Sequence, residues 1–360
     1  MTQLIYDLDL PSLMGLLKEW GEPAYRAKQI WQGLYQHLYT APDEFTNLPK
    51  SLREKLGEQL TFVPLKVKTY IDSSDRYTRK TLFELQDGKV IEAVLMRYGD
   101  PADVHDGAES RSLRQRRTLC ISTQAGCAMG CVFCATGQMG FKRHLSSGEI
   151  VAQVLYYARM LKDENQAVTN VVLMGMGEPF HNYDNTMSAI DRLNDPDGYN
   201  FGARRFTVST VGLVPQIRRF ADEKRQVNLA ISLHAADDLE RVKMLPVNKR
   251  YDIDEVLDAC KYYIAKTHRR VTFEWALIHG VNDSPEVAAK LAARLKGLLC
   301  HVNAIPLNPT TGYSGQATSR ERAAKFKETL AQAGVPCTIR MRRGIDIAAG
   351  CGQLAGSLGA

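Results

Sequence analysis

The sequence lacks any apolar run long enough to span a bilayer. Its first residues, Met-Thr-Gln-Leu-Ile-Tyr-Asp, show no basic-then-apolar export pattern. No internal repeat or low-complexity tract stands out, which argues against a solenoid or a disordered tail. Charge of one sign is also scarce in excess: 46 basic against 40 acidic residues leave +6, compatible with a nucleic-acid partner but not diagnostic. Cysteine is sparse, 8 in 360 residues, too thin for a disulfide framework. These absences lead us to expect a globular protein of the reducing cytosol, with no membrane partner, whose cysteines are ligands, catalysts or core residues.

Three of the eight cysteines are not spread out. Cys127, Cys131 and Cys134 fall in Gly126-Cys-Ala-Met-Gly-Cys-Val-Phe-Cys-Ala-Thr-Gly137, a C-x₃-C-x₂-C pattern. No regular helix or strand points three side chains at that spacing to one centre; a glycine-containing loop does. Thiolates suit zinc or iron–sulfur clusters. Structural zinc normally takes a fourth ligand from a second knuckle, and no second C-x-x-C or H-x₃-H follows. A [4Fe–4S] cluster held by three cysteines keeps one iron open for a reacting ligand. Zinc, a cluster and three incidental thiols are the readings of the spacing.

Around this stretch the chain divides by period. Residues 1–60 read as a helical accessory domain, with Ala27, Ile30, Trp31, Leu34, Tyr35 and Leu38 at helical spacing. Arg26, Lys28 and Lys50 read as solvated. Residues 61–100 read as a small antiparallel sheet, with strands at 67–71, 77–85 and 90–97 and a hairpin signal at Asp87-Gly88. Simple alternation allows Glu92 a solvated face in the last of these. Residues 101–117 read as a linker carrying Arg111, Arg114, Arg116 and Arg117. Across 118–345, strands at 118–122, 169–174, 206–209, 228–233, 271–277 and 302–306 alternate with helices. About six βα units predict a partial barrel with ligands at the carboxyl ends of its strands. Residues 346–360 form a glycine-rich tail carrying Cys351.

Residues at those strand ends are candidates for a site. Gly175-Met-Gly-Glu178 lets backbone and one carboxylate approach a ligand, and Glu178 can accept from an ammonium group. Ser209, His234 and Asn308 are polar residues at other strand ends. Cys260, Cys300 and Cys337 sit in apolar periodic stretches and read as core. Cys120 lies on the first of these strands, just before the cysteine loop. The tail's glycines suggest loose packing and an accessible Cys351 thiol, reactive or idle.

Taken with Asn182-Tyr-Asp-Asn185, Arg204-Arg-Phe-Thr-Val-Ser-Thr210, Leu245-Pro-Val-Asn-Lys249, Gly280-Val-Asn-Asp283 and Cys351-Gly-Gln-Leu354, the cysteine loop resembles the radical S-adenosylmethionine (SAM) superfamily, and within it the RNA adenine methylases. The resemblance covers almost the whole chain. It implies an α/β fold, a partial (β/α)6 barrel with an N-terminal helical and small antiparallel-sheet accessory domain. It also implies a [4Fe–4S] cluster on Cys127, Cys131 and Cys134, with SAM on the open iron. Gly177, Glu178, Ser209, Ser232, Leu233, His234 and Asn308 match the family's SAM contacts. The implied reaction is methylation of carbon 2 of adenine in 23S rRNA and in the tRNA anticodon loop, using two SAM per turnover. Cys351 takes a methyl group from one SAM; a 5′-deoxyadenosyl radical from the second activates that methyl, which adds to the base. Glu92 matches the proton acceptor, and Cys120 resolves the adduct as a Cys120–Cys351 disulfide that a reductant such as flavodoxin reopens. Carbon 2 lies between two ring nitrogens and is electron-poor, so an electrophilic methyl has nothing to attack, whereas a carbon radical can add.

The tail departs from the family: Asp346-Ile-Ala-Ala-Gly350 replaces Asp-Ile-Asp-Ala-Ala, which implies either a looser tail or changed hydrogen bonds within it. His279 stands where the family often has Asp. Arg204, Arg205, Arg340, Arg342 and Arg343 are candidate phosphate contacts, and the protein is expected to act as a monomer. The rival readings are the sister activity at carbon 8 of the same adenine and a non-enzymatic iron–sulfur protein that binds RNA or passes electrons.

Overall fold

The structure, a computed structural model, describes residues 3–99 and 115–356. Arg111 and Arg114 of the expected linker lie outside the described residues. Strands β1 (Gln3–Leu4) and β2 (Leu60–Thr61) pair in parallel and close off a helical module of α1 (Leu10–Glu19), α2 (Tyr25–Gln32) and α3 (Lys50–Gln59). The helical spacing of Ala27, Ile30 and Trp31 puts all three in the core of this module, as expected. Asp9 caps α1 by accepting from Ser12 N at 2.8 Å.

Next come β3 (Leu65–Asp72), β4 (Thr78–Leu85) and β5 (Val90–Tyr98), an antiparallel run. They do not stand apart from the barrel. β5 pairs antiparallel with β6 (Arg116–Cys120), the first barrel strand, so one ten-stranded sheet runs through both. A hairpin of β7 (Gln124–Gly126) and β8 (Phe141–His144) follows, with the four-residue helix α4 (Ala135–Gln138) between its strands. The parallel strands continue as β9 (Asn170–Leu173), β10 (Phe206–Thr210), β11 (Asn228–Ser232), β12 (Val271–Leu277) and β13 (Cys300–Pro306). A short β14 (Cys337–Ile339), not anticipated from the sequence, adds a seventh parallel strand at the edge.

Between them run α5 (Ser147–Asp163), α6 (Tyr183–Asn194), α7 (Val214–Asp222), α8 (Asp238–Met244), α9 (Ile253–Thr267), α10 (Pro285–Leu295) and α11 (Arg320–Gln332). Serine or aspartate caps start several of them. Ser146 with Glu149, and Asp252 with Glu255, form reciprocal capping boxes on α5 and α9. The helical module docks on α5 and α6 through polar contacts. Asp7 accepts from Gly148 N at 2.6 Å at the start of α5, and Arg192 donates to the carbonyls of Tyr6 and Asp7. Gly148 permits this approach, since a Cβ there would sit 2.9 Å from Asp7 N.

Strand β12 shows how the barrel wall is built. Val271, Phe273, Trp275 and Leu277 are fully buried core residues. The alternate residues Thr272, Glu274 and Ala276 line the lumen.

Candidate functional site

The lumen has two ends. At the carboxyl end of the strands the three-cysteine loop covers a cavity that Cys127, Cys131 and Cys134 line. The loop's conformation rests on glycine at two points. Gly126 has φ +74°, and a Cβ there would run into the carbonyl of Gly140. A Cβ on Gly137 would lie 2.8 Å from Cys131 O. Cys127 N donates to Gly140 O and Cys134 N to Cys131 O, both at 3.1 Å, while Val132 N ties the loop to Met244 O of α8.

Burial pushes the Cys127 thiol up to about 12 and holds that of Cys131 well above the usual range. Arg241, itself buried, is the cation that eases Cys131, but its guanidinium is spent on the carbonyls of Leu233 and Val211 and on Asn248. Two buried thiols and a half-buried third, with so little positive charge nearby, fit a donor set completed by a cationic centre. They line one wall without converging: among the described residues, no three His, Cys, Asp or Glu side chains gather tightly enough for one metal ion. A cluster that takes one thiolate per iron suits that spread better than one zinc ion, which draws all its sulfurs to about 2.3 Å.

The matched SAM contacts surround the same cavity, with one exception. Gly177 has φ +103°, and a Cβ there would approach Gln124 Cβ to 2.5 Å. Gln124 Oε1 accepts from Glu178 N at 2.8 Å. The Glu178 carboxylate accepts from Phe180 N at 3.0 Å and Val211 N at 2.9 Å, and burial raises its pKa to about 7. Ser209 and Ser232 face each other, Oγ to Oγ 3.4 Å. His234 takes φ +60°, and its Nδ1 accepts from Ala276 N at 2.9 Å; burial holds its pKa near 3, so it stays neutral with the proton on Nε2. Asn308 leaves Oδ1 buried without a partner on the cavity wall, a polar atom that awaits a donor. Leu233 is the exception. Its side chain is core, so only its backbone is available to a ligand.

Cys351 reaches this cavity from the tail, and the tail is not loose. Ala135 N donates to Gly352 O at 2.7 Å, Thr136 Oγ1 to Leu354 O at 2.6 Å, and Asn308 Nδ2 to Cys351 O at 3.0 Å. Gln353 Nε2 donates to Pro309 O at 2.9 Å. The departure at Gly350 tightens the fit, because a Cβ there would fall 2.6 Å from Asn308 Nδ2. Asp346, the carboxylate that remains, accepts from Ser74 N at 2.8 Å. The expectation of a loose tail is thus overturned: glycine serves close approach here.

Cys120, at the end of β6, is buried and shares a cavity with Cys351; burial first, and then the neighbouring Cys351 thiol, push its pKa up. Both are free thiols in the structure, as are the other six cysteines. Burial, with the nearby Glu274 carboxylate, lifts Cys351 to about 11, opposed by Arg340. Cys260 and Cys300 are core, and Cys337 is half-buried on β14.

Glu92 is not solvated. It is fully buried, 3.4 Å from the equally buried Lys80. Its Oε2 accepts from Ala355 N at 2.9 Å, while Lys80 Nζ donates to Ala348 O at 3.3 Å. The pair therefore grips the tail on both sides of Cys351. Burial raises the Glu92 pKa, and Lys80 opposes that rise.

Lys80, Glu274 and Asn303 were not singled out in the sequence. The alternation of β12 was the available signal for Glu274, since every second residue there faces the lumen. At the other end, where the strands begin, the lumen opens through a polar mouth carrying Arg116, Arg204, Arg269, Arg270 and Arg340 with His268 and His301. No carboxylate lies within ion-pair distance of these arginines among the described residues. Of the other arginines expected to touch phosphate, Arg205 lies over the Phe201 ring, Arg342 Nη1 donates to Leu307 O, and Arg343 Nη1 donates to Arg97 O.

Comparison with known proteins agrees with this geometry. Residues 121–292 match the radical SAM superfamily, and residues 4–62 match a ribosomal RNA large subunit methyltransferase N-terminal domain. The dual-specificity RNA methyltransferase RlmN 1 of Myxococcus xanthus is 50% identical over 97% of this chain and 93% of its own. A probable RlmN of Geobacillus kaustophilus is 46% identical over 96% and 92%. The crystal structure of a radical SAM methyltransferase from Sphaerobacter thermophilus superposes with a TM-score of 0.92 at 48% identity, covering 99% of this chain and all of that one. A cysteine-roofed lumen, a thiol delivered by the tail and this extent of shared sequence lead to one conclusion: the chain belongs to the RlmN family of radical SAM RNA methyltransferases.

Proposed function

We propose that this enzyme methylates carbon 2 of adenine in 23S rRNA and in tRNA, with Cys351 carrying the new carbon. The observation that carries this reading is the meeting of Cys351 and Cys120 in one cavity beneath the three-cysteine loop, on a tail that the buried Glu92–Lys80 pair grips from behind. The relatives' names supply the RNA substrate class.

When bound, the cluster and SAM supply a methyl group for a thiolate and, on reduction, a 5′-deoxyadenosyl radical. Cys127, Cys131 and Cys134 would hold the cluster. Glu178 accepts from a ligand's ammonium group, Asn308 Oδ1 takes a donor, and neutral His234 offers Nε2–H. Apolar walls from Met129, Phe133 and Leu307 keep water from a radical, which would otherwise be quenched. Cys351 sits between this cavity and the passage below it, so a carbon on its sulfur faces a base arriving from the arginine-lined mouth. Glu92 lies beside the tail to take the proton that carbon 2 must lose. The Cys120 thiolate then attacks Cys351 sulfur: the S–S bond forms and the S–C bond breaks. The released methylene carbon takes up the proton that the Cys120 thiol gave up and becomes the methyl group. The adduct's odd electron would pass to the oxidised one-electron centre when that is bound, leaving a Cys120–Cys351 disulfide for a two-electron reductant.

The arginine mouth reads phosphates on either side of an unstacked adenine. A monomer of the reducing cytoplasm, served by a flavodoxin-like electron donor, completes the reading. No helix among the described residues is long and apolar enough to cross a membrane. Anaerobic reconstitution with iron, sulfide, SAM and both RNAs, followed by nucleoside analysis, tests it. The expected product is 2-methyladenosine from both RNAs. 8-Methyladenosine would move the protein to the sister activity, and RNA binding without 5′-deoxyadenosine would remove it from the enzymes.

A further inference from the structure

Among the described residues, Glu274 is the one lumen-lining carboxylate that the reaction above leaves idle. It is buried on β12, faces inward, and lines both the cysteine-roofed cavity and the arginine mouth. No lysine or arginine lies within ion-pair distance of it among the described residues. Its partner is Asn303, its neighbour in register on β13, whose Nδ2 donates to Oε2 at 2.6 Å. That leaves Oε1 directed to open space. A carboxyl held without a cation is costly to the fold and is not explained by packing.

We propose that Glu274, oriented by Asn303, donates a hydrogen bond to a ring nitrogen flanking carbon 2 of the target adenine. The proposal rests on the carbon-2 reading. Glu274 and Cys351 line the same two cavities, the cysteine-roofed one and the passage below it, so a base that receives the Cys351 carbon lies in the space that Glu274 faces. Carbon 2 has two ring neighbours, N1 and N3, and both present lone pairs. A carboxylate would repel them; a carboxylic acid donates to one. Burial, eased by Asn303 and Arg340, raises Glu274 to about 7, which keeps the acid form populated near neutrality.

The chemistry at carbon 2 gives this bond a purpose. The carbon–carbon bond uses the unpaired electron of the Cys351-bound carbon and one electron of the ring's π bond. The remaining electron spreads over the ring nitrogens, which become stronger acceptors. A donor on N1 or N3 thus binds the developing adduct more tightly than the starting base. Asn303 fixes the carboxyl plane, and no proton need leave Glu274.

The test uses the reconstituted enzyme without reductant and RNA fragments carrying adenosine, 1-deazaadenosine or 3-deazaadenosine at the target position. Wild type should bind one deaza fragment about five- to tenfold more weakly than the adenosine fragment, as loss of one hydrogen bond predicts. Glu274→Ala should bind all three alike, at the weaker level. Glu274→Gln, whose amide still donates, should keep the discrimination. Wild-type indifference to both deaza fragments, or full discrimination by Glu274→Ala, would overturn the proposal. Should the alanine variant fail to load its cluster, Glu274→Met takes its place under the same criteria. Failure of wild type to make 2-methyladenosine from the natural RNA would instead sink the parent reading.

Discussion

The two ends of the barrel lumen solve opposite problems with the same strands. At the carboxyl end, Met129, Phe133, Val211 and Leu307 surround three thiols, and even Glu178 is pushed up to about 7 by desolvation. Where the strands begin, five arginines, none with a carboxylate partner among the described residues, line an open polar mouth. Radical chemistry requires the first environment, and a polyanionic substrate requires the second. The change from one to the other happens within a single strand. On β12, Thr272 belongs to the mouth, Glu274 to both ends and Ala276 to the cavity roof. Cys351 stands at that crossing, lining both the cysteine-roofed cavity and the passage below it, which is why one thiol can serve both ends.

The most severe way to break this arrangement is to remove the crossing. Cys351→Ala should lower methylation at least about a thousandfold, as loss of a covalent nucleophile does. Iron content and the cluster's visible absorbance should stay at wild-type levels. Loss of the cluster would place Cys351 among the metal ligands and collapse the distinction between roof and crossing.

Next in size is the grip on the tail. Lys80→Met strands Glu92 in a buried site, and losing one partner of such a pair costs about 3–5 kcal/mol. Urea denaturation should register that loss, and Cys351 should react faster with a thiol reagent. The double variant Lys80→Met with Glu92→Gln should recover much of the stability. If Lys80→Met leaves both readouts unchanged, the pair is not what holds the tail.

The stability cost of Glu274 can be read from pH. Below its ordinary value of 4.5, folded and unfolded chains both hold the proton and nothing is lost. Between there and about 7 the unfolded chain releases it while the folded chain does not, so stability falls as pH rises. Above that range the loss levels at on the order of 3 kcal/mol. Glu274→Gln should therefore match wild type at pH 4 and exceed it at pH 8, its profile falling less steeply between because Glu274's share of the fall is gone while that of Glu178 remains. Identical profiles for the two proteins would mean that Glu274 is solvated in the folded state.

Roof and crossing also differ in how far the sequence reveals them. The cysteine loop is local: its spacing and glycines alone indicated a shared centre, and all three thiols line one cavity. The parallel strands were legible from their alternation with helices, with β12 bounded to the residue. Glu92 was not, because alternation assumes one face of a strand meets water. On β5 both faces are covered, one of them by a tail joined across 263 residues of sequence. The tail misled for a related reason. Its glycines look like slack when read alone, and become close-contact positions only once Asn308 is seen beside Gly350. That Cys120 and Cys351 share a cavity came only from family resemblance, since no local pattern links them. β14 is three residues long, too short for periodicity to register.

The mildest perturbation acts at the mouth. If Arg204, Arg269, Arg270 and Arg340 act on phosphates, each contributes through counterion release and not through shape. Single Arg→Met variants should weaken RNA binding roughly three- to tenfold and reduce the slope of log affinity against log salt by about 1. Formation of 5′-deoxyadenosine without RNA should not change, because the dry end is untouched. Arg269 should show the smallest effect. Its guanidinium already donates to Gln226 Oε1 at 3.2 Å and Asn228 Oδ1 at 2.6 Å, so less of it is free to meet a phosphate. Arg270, which lines the same mouth with no such partners among the described residues, should show a larger one. A reversed order, or variants that slow radical formation at constant RNA affinity, would mean that the two ends are not separable. The arginines would then tune the electrostatics of the thiols above them, as Arg340 already does for Cys351.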